Sequence, residues 1–120
     1  MIQRVRVEYD DQNEAFASML PRSGELVGRY GDVHGNSDWF RVRLDTPLEY
    51  QEKVGEPYQF RLLNVTDFLI RSRSATHALG TADSVPVFIL LVNASQKPVP
   101  NPFDPSAYVH VAWGLCMVEK

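Results

Sequence analysis

The chain has 120 residues, 44 % hydrophobic and 22 % charged, with a net charge of −3. This balance suits one globular domain over 1–120 with its own core and excludes a disordered chain. The acidic field makes nucleic acid an unfavoured partner, and the longest apolar run, Val85 to Val92, is far below the roughly 20 residues that cross a bilayer.

The opening MIQRVRVEYDD has no apolar leader, and the lone Cys116 fits a reducing compartment, so a cytoplasmic protein is expected. In chain order, Ile2 to Tyr9 alternates Val5, Val7 and Tyr9 against Arg4, Arg6 and Glu8, which predicts a half-buried strand. Asp11 and Glu14 have capping-box spacing before Ala15, Phe16, Met19 and Leu20, which predicts a short helix over Gln12 to Leu20, stopped by Pro21 and Gly24. Leu26 to Val33 reads as a second strand, with Gly28 and Gly31 marking a bend or bulge. The turn cluster at His34 to Ser37 joins it as a hairpin to Asp38 to Asp45, where Phe40, Val42 and Leu44 oppose Trp39, Arg41 and Arg43.

After Pro47, Leu48 to Gln51 is expected as a short edge strand before a turn at Gly55 to Pro57. Tyr58, Phe60 and Leu62 share one side of the next segment. Val65 to Ser74 then sets Phe68 and Ile70 against Asp67, Leu69, Arg71 and Arg73, as a separate strand or a bent continuation. Ala75 to Ser84 lacks periodicity and predicts a long loop of the kind where function often resides. Val85 to Val92 is apolar on both faces, as a central strand covered on both sides would be. Four prolines between Pro98 and Pro105 predict a stiff surface crossing or lid, and Tyr108 to Val118 resumes alternation. The sum is a mainly β fold: a small antiparallel β-barrel or strongly curved sheet of about six to seven strands, with one short helix after the first.

The arginine pairs Arg4 and Arg6, Arg41 and Arg43, and Arg71 and Arg73 each share a strand face. With Trp39 and the loop residue His77, the residues Arg41, Arg43, Arg71 and Arg73 form the candidate binding face, since guanidinium forks and an indole suit a carboxylate, a phosphate or a protein surface. Glu8, Asp45 and Asp67 have matching parity, so the same arginines can instead form a ladder of cross-strand ion pairs.

His34, His77 and His110 lack metal-site spacing, no GxSxG elbow or phosphate loop is present, and Cys116 reads as a buried structural thiol. No catalytic residue, metal or cofactor is assigned. The expected function is a non-enzymatic interaction domain for a protein partner or small anionic ligand, with homodimer formation among the expected partnerships. The alternatives are a small enzyme using His77 or His110 with Arg43 or Arg73, and a barrel that binds single-stranded nucleic acid through Trp39 and the arginines.

Overall fold

Alternating apolar residues on every strand have one way to leave water together, which is to close the sheet around them. In the computed structural model, which describes residues 3–9, 19–73 and 84–119, six strands do so. They are β1 (Gln3–Tyr9), β2 (Arg22–Tyr30), β3 (Trp39–Val54), β4 (Gln59–Ser72), β5 (Ser84–Asn93) and β6 (Val109–Val118). Each pairs antiparallel with the next, and β1 pairs with β6 to close an up-and-down barrel. The mainly β fold read from the pattern is the observed one. Short 3₁₀ turns occupy Ala94–Gln96 and Pro105–Ala107.

Val5 and Val7, Val42 and Leu44, Val65, Phe68 and Ile70, and Val85, Val87, Ile89 and Leu91 fill the barrel interior. Beside these bulky residues the wall needs small ones. A Cβ on Gly114 of β6 would lie 2.5 Å from the Glu8 carbonyl oxygen and 2.7 Å from Ile89 Cδ1, and one on Gly24 of β2 would lie 2.3 Å from the Arg43 carbonyl oxygen. Both positions therefore require glycine for close approach. In β6 the inner face carries Gly114 and Cys116, while the bulkier Trp113, Leu115 and Met117 face outward.

A second core lies outside the barrel wall. Trp39, Leu69, Leu90 and Val92 project from β3, β4 and β5 and are covered by Val99 and Phe103 of the proline-rich segment. The two-sided burial expected for Val85 to Val92 arises in this way, and the proline-rich stretch is a crossing over that wall. It is fixed to the turn after β2 by hydrogen bonds from Phe103 N to Gly31 O (3.0 Å), Val33 N to Phe103 O (2.9 Å) and Gly31 N to Asn101 Oδ1 (3.0 Å).

Several expected boundaries shift. The second strand is β2 at Arg22–Tyr30, displaced toward the N-terminus from Leu26 to Val33, with the register changing beside Gly28. The short strand expected at Leu48 to Gln51 is the continuation of β3, and the two segments from Tyr58 onward are one bent strand, β4. Ladder pairing jumps from Arg43↔Asp67 to Leu48↔Val65, so four residues, Leu44 to Pro47, oppose Thr66 alone. Pro47, which lacks an N–H, falls where the ladder is already broken and bends the strand without ending it. The helix expected over Gln12 to Leu20 lies outside the described residues apart from Met19 and Leu20, which are not helical. The expected loop also lies outside them, except that Ser84 begins β5.

Candidate interaction surface

The arginine pairs do share the outer wall. Arg4 stands across from Glu25, Glu25 from Arg43, and Arg43 from Asp67, so charge alternates over four neighbouring strands. Arg4 forms a two-pronged contact with Asp45, and Arg43 Nη2 lies 2.6 Å from Glu25 Oε2. Arg6 pairs with Glu8 at 2.9 Å and Arg71 Nε with Asp38 Oδ1 at 2.9 Å. Hydrogen bonds from Arg4 hold the Asp45 carboxyl below its ordinary range and raise the pKa of the Arg4 guanidinium itself. Charge on this wall is thus largely matched within the protein.

Asp67 is fully buried, 3.3 Å from Arg41 Nε and 3.2 Å from Lys97 Nζ, and accepts a hydrogen bond from Thr66 Oγ1. The Arg41 Nε–Asp67 Oδ2 approach is close enough for attraction but misaligned, and neither atom makes a hydrogen bond. Arg41 also lies over the Tyr30 ring and donates to its hydroxyl. Because Lys97 opens the proline-rich segment, Asp67 ties that segment to the strand bend.

Trp39 is 6 % exposed, its ring edge-on to Phe103 at 5.4 Å, and its Nε1 donates to Asp32 Oδ2 at 2.8 Å. Burial alone would raise the Asp32 pKa. Hydrogen bonds from Asn36, Trp39 and the His34 amide outweigh it and hold the group at about 2. The indole is therefore a core element with its polar end satisfied. Arg73 lies 3.9 Å above the ring of Trp113, near Phe88, and pairs with no acid among the described residues. His77 lies outside the described residues. His34 sits in the turn after β2 and His110 on the outer wall against Phe88, and no group of three His, Cys, Asp or Glu suited to a metal occurs among the described residues. Burial pushes the Cys116 thiol up to about 12, which keeps it protonated.

A surface of another kind lies beyond the strand bend. From Leu48 the β3–β4 hairpin runs past its neighbours: the β2 pairing ends at Leu44, and the β5 pairing ends at Val65↔Asn93. Asn93 ends β5 by turning the chain away. Its N–H takes Gln96 Oε1 at 3.0 Å, and its Oδ1 accepts the Asn64 N–H at 2.9 Å. Residues 48–54 and 59–64 therefore form a two-stranded arm whose edges are open among the described residues, with Leu48, Tyr50 and Leu63 packing one of its faces into the core.

On one face of the arm Tyr58, Phe60 and Leu62 are 60 %, 64 % and 62 % exposed, with Lys53 Nζ 3.7 Å from the Tyr58 ring. The Asn64 N–H points away from β3, and strand alternation aims the N–H and C=O groups of Leu62 and Phe60 the same way, at the free edge. Beside that edge a groove lined by Leu62, Leu63, Ser95, Gln96, Ala107 and Val109 occupies the place a longer β5 would have filled. The common parity of Tyr58, Phe60 and Leu62 was legible in the sequence. Their exposure depends on where β5 stops.

No family model, curated protein or solved structure matches the chain. No helix among the described residues is long and apolar enough to cross a membrane.

Proposed function

We propose that the protein is a non-enzymatic interaction domain that binds a protein partner by adding an extended segment to the free edge of β4. One observation carries this reading: β4 leaves β5 at Asn93 with Phe60 and Leu62 exposed, their edge-directed backbone groups beside an open groove. A strand added there gains main-chain hydrogen bonds, and its alternate side chains meet Phe60 and Leu62 on one face and the groove on the other. The barrel acts as the support, since its own wall is closed by pairing and its arginines are largely matched by acids.

Selection of extended peptides from a random library on the whole protein tests the reading. Phe60→Pro removes one edge-directed N–H while sparing the β3–β4 ladder, and serves as the counter-selection. Peptides that lose at least tenfold in affinity on F60P, and that perturb the amides of Phe60 and Leu62, are expected. Binders indifferent to F60P would overturn it.

Arg73 favours a second reading, capture of a small anion, because it stacks on Trp113 without an acid partner among the described residues. Titration with phosphate or a short carboxylate should then quench Trp113 fluorescence in the wild type and leave Arg73→Ala unchanged.

A further inference from the structure

The two edges of the arm differ in how open they are to another strand. On β3 the residues that face outward alongside Gln51 are Glu49 and Lys53, and Pro47 stands at the base, so charge and a missing N–H guard that edge. On β4 the corresponding residues are Phe60 and Leu62, both apolar and exposed. An unguarded edge of this kind accepts an extended strand whose alternate residues are apolar, and the start of β4, Gln59 to Leu62, with Tyr58 in the turn just before it, is itself such a segment.

Three two-fold registers centred within Phe60 to Leu62, clear of the 55–58 turn, bring this stretch against its own copy. A centre at Leu62 sets Phe60 against Asn64, whose N–H is already held by Asn93 Oδ1. A centre at Arg61 places two guanidinium side chains directly opposite each other, which is destabilising. A centre at Phe60 sets Phe60 against Phe60, Leu62 against Tyr58 and Arg61 against Gln59, with no like charges facing. In that register Asn64 falls opposite Glu56 of the second copy, within its turn. The incoming strand therefore ends before it reaches Asn93, and the two barrels lie at opposite ends of the paired arms.

We infer that the partner of the β4 edge is a second copy of this chain, paired antiparallel about a two-fold axis at Phe60. The inference rests on the strand-addition reading above and names its occupant. The pairing joins the two arms into a four-stranded sheet through Gln59 to Arg61, with Phe60 exchanging two hydrogen bonds with its counterpart and the Phe60 and Leu62 side chains of both copies on one face, beside Tyr58 from each turn. The overlap is short, so the dimer dissociates on dilution.

Cysteine cross-linking reads the axis directly, since the native Cys116 is buried and does not compete. In a hydrogen-bonded antiparallel pair the Cα atoms are about 5.5 Å apart, within disulfide range. Phe60→Cys is therefore expected to give a covalent dimer on mild oxidation. Leu62→Cys, about 13 Å from its counterpart, and Gln51→Cys, on the guarded edge, are expected to stay monomeric. Sedimentation of the wild type should show a monomer–dimer equilibrium that F60P shifts at least tenfold toward monomer and Gln51→Pro leaves unchanged. Preferential cross-linking of L62C or Q51C overturns the inference. A wild type that is monomeric at all concentrations, with no F60C cross-link, also overturns it, and peptides selected on the β4 edge would then leave the strand-addition reading standing with a different partner.

Discussion

The β3–β4 hairpin is two structures on one pair of strands. Between Trp39 and Leu44 on β3, and Asp67 and Arg71 on β4, both strands have outer neighbours: Phe68 and Ile70 are buried inside the barrel, and Leu69 is buried outside it. Beyond the four-residue bulge at Leu44 to Pro47 no described strand pairs with them past Val65↔Asn93: one face still packs Leu48, Tyr50 and Leu63 into the core, while on the other Phe60 and Leu62 stand in water. Alternation is equally clean in both halves. What separates them is where β2 and β5 stop, so apolar patterning describes a strand's faces while its neighbours decide which faces are covered.

Truncating one phenylalanine in each half should separate the two most widely. Phe68→Ala, at a fully buried site, should cost about 3–5 kcal/mol, whereas Phe60→Ala should change stability by no more than about 0.5 kcal/mol, as read from denaturant unfolding. Comparable losses would mean that the Phe60 face of the arm, and not only its Leu48, Tyr50 and Leu63 face, is covered in the fold. Next in size is Asp67→Ala at the bend, which leaves Arg41 and Lys97 without their shared carboxylate. A loss of about 3 kcal/mol is expected, together with faster amide exchange through Val99 to Phe103.

Asp32 gives a pH-dependent test at the end of the barrel. Its folded pKa, about 2, lies below the ordinary 3.8, so its contribution is fully present above 3.8 and is lost as pH falls toward 2. Thermal melts should show the wild type losing its advantage over Asp32→Asn within that window, and a constant difference would assign the effect elsewhere. The smallest effects belong to the exposed pairs. Arg43→Ala in the barrel and Arg61→Ala in the arm should each cost about 0.2–1 kcal/mol, falling with added salt.

Much of the barrel was legible because its signals are local. Parity placed Val42, Phe68 and Ile70 on one side and the arginines on the other, and the acids Glu8, Asp45 and Asp67 have the parity that lets them meet Arg6, Arg4 and Arg41. Trp39 shared a strand face with Arg41 and Arg43, yet its burial depends on Phe103, more than sixty residues away in sequence, crossing over the wall. Asp32 likewise fell inside the expected second strand, Leu26 to Val33, and nothing local marked its contact with the Trp39 indole. The arm was the least legible part. Pro47 suggested an interruption where the structure has a bulge, and nothing near Tyr58 to Leu62 encodes that β5 turns away at Asn93.

Residue-resolved amide exchange along β4 in dilute protein reads whether its edge is free. Arg61 and Leu63, whose amides face β3, should be protected, Phe60 and Leu62 should exchange freely, and these two should become protected when a strand is added. Phe60 and Leu62 amides as slow as those of Arg61 and Leu63 in the dilute, unbound chain would mean that the edge is already covered, and would contradict the strand-addition reading.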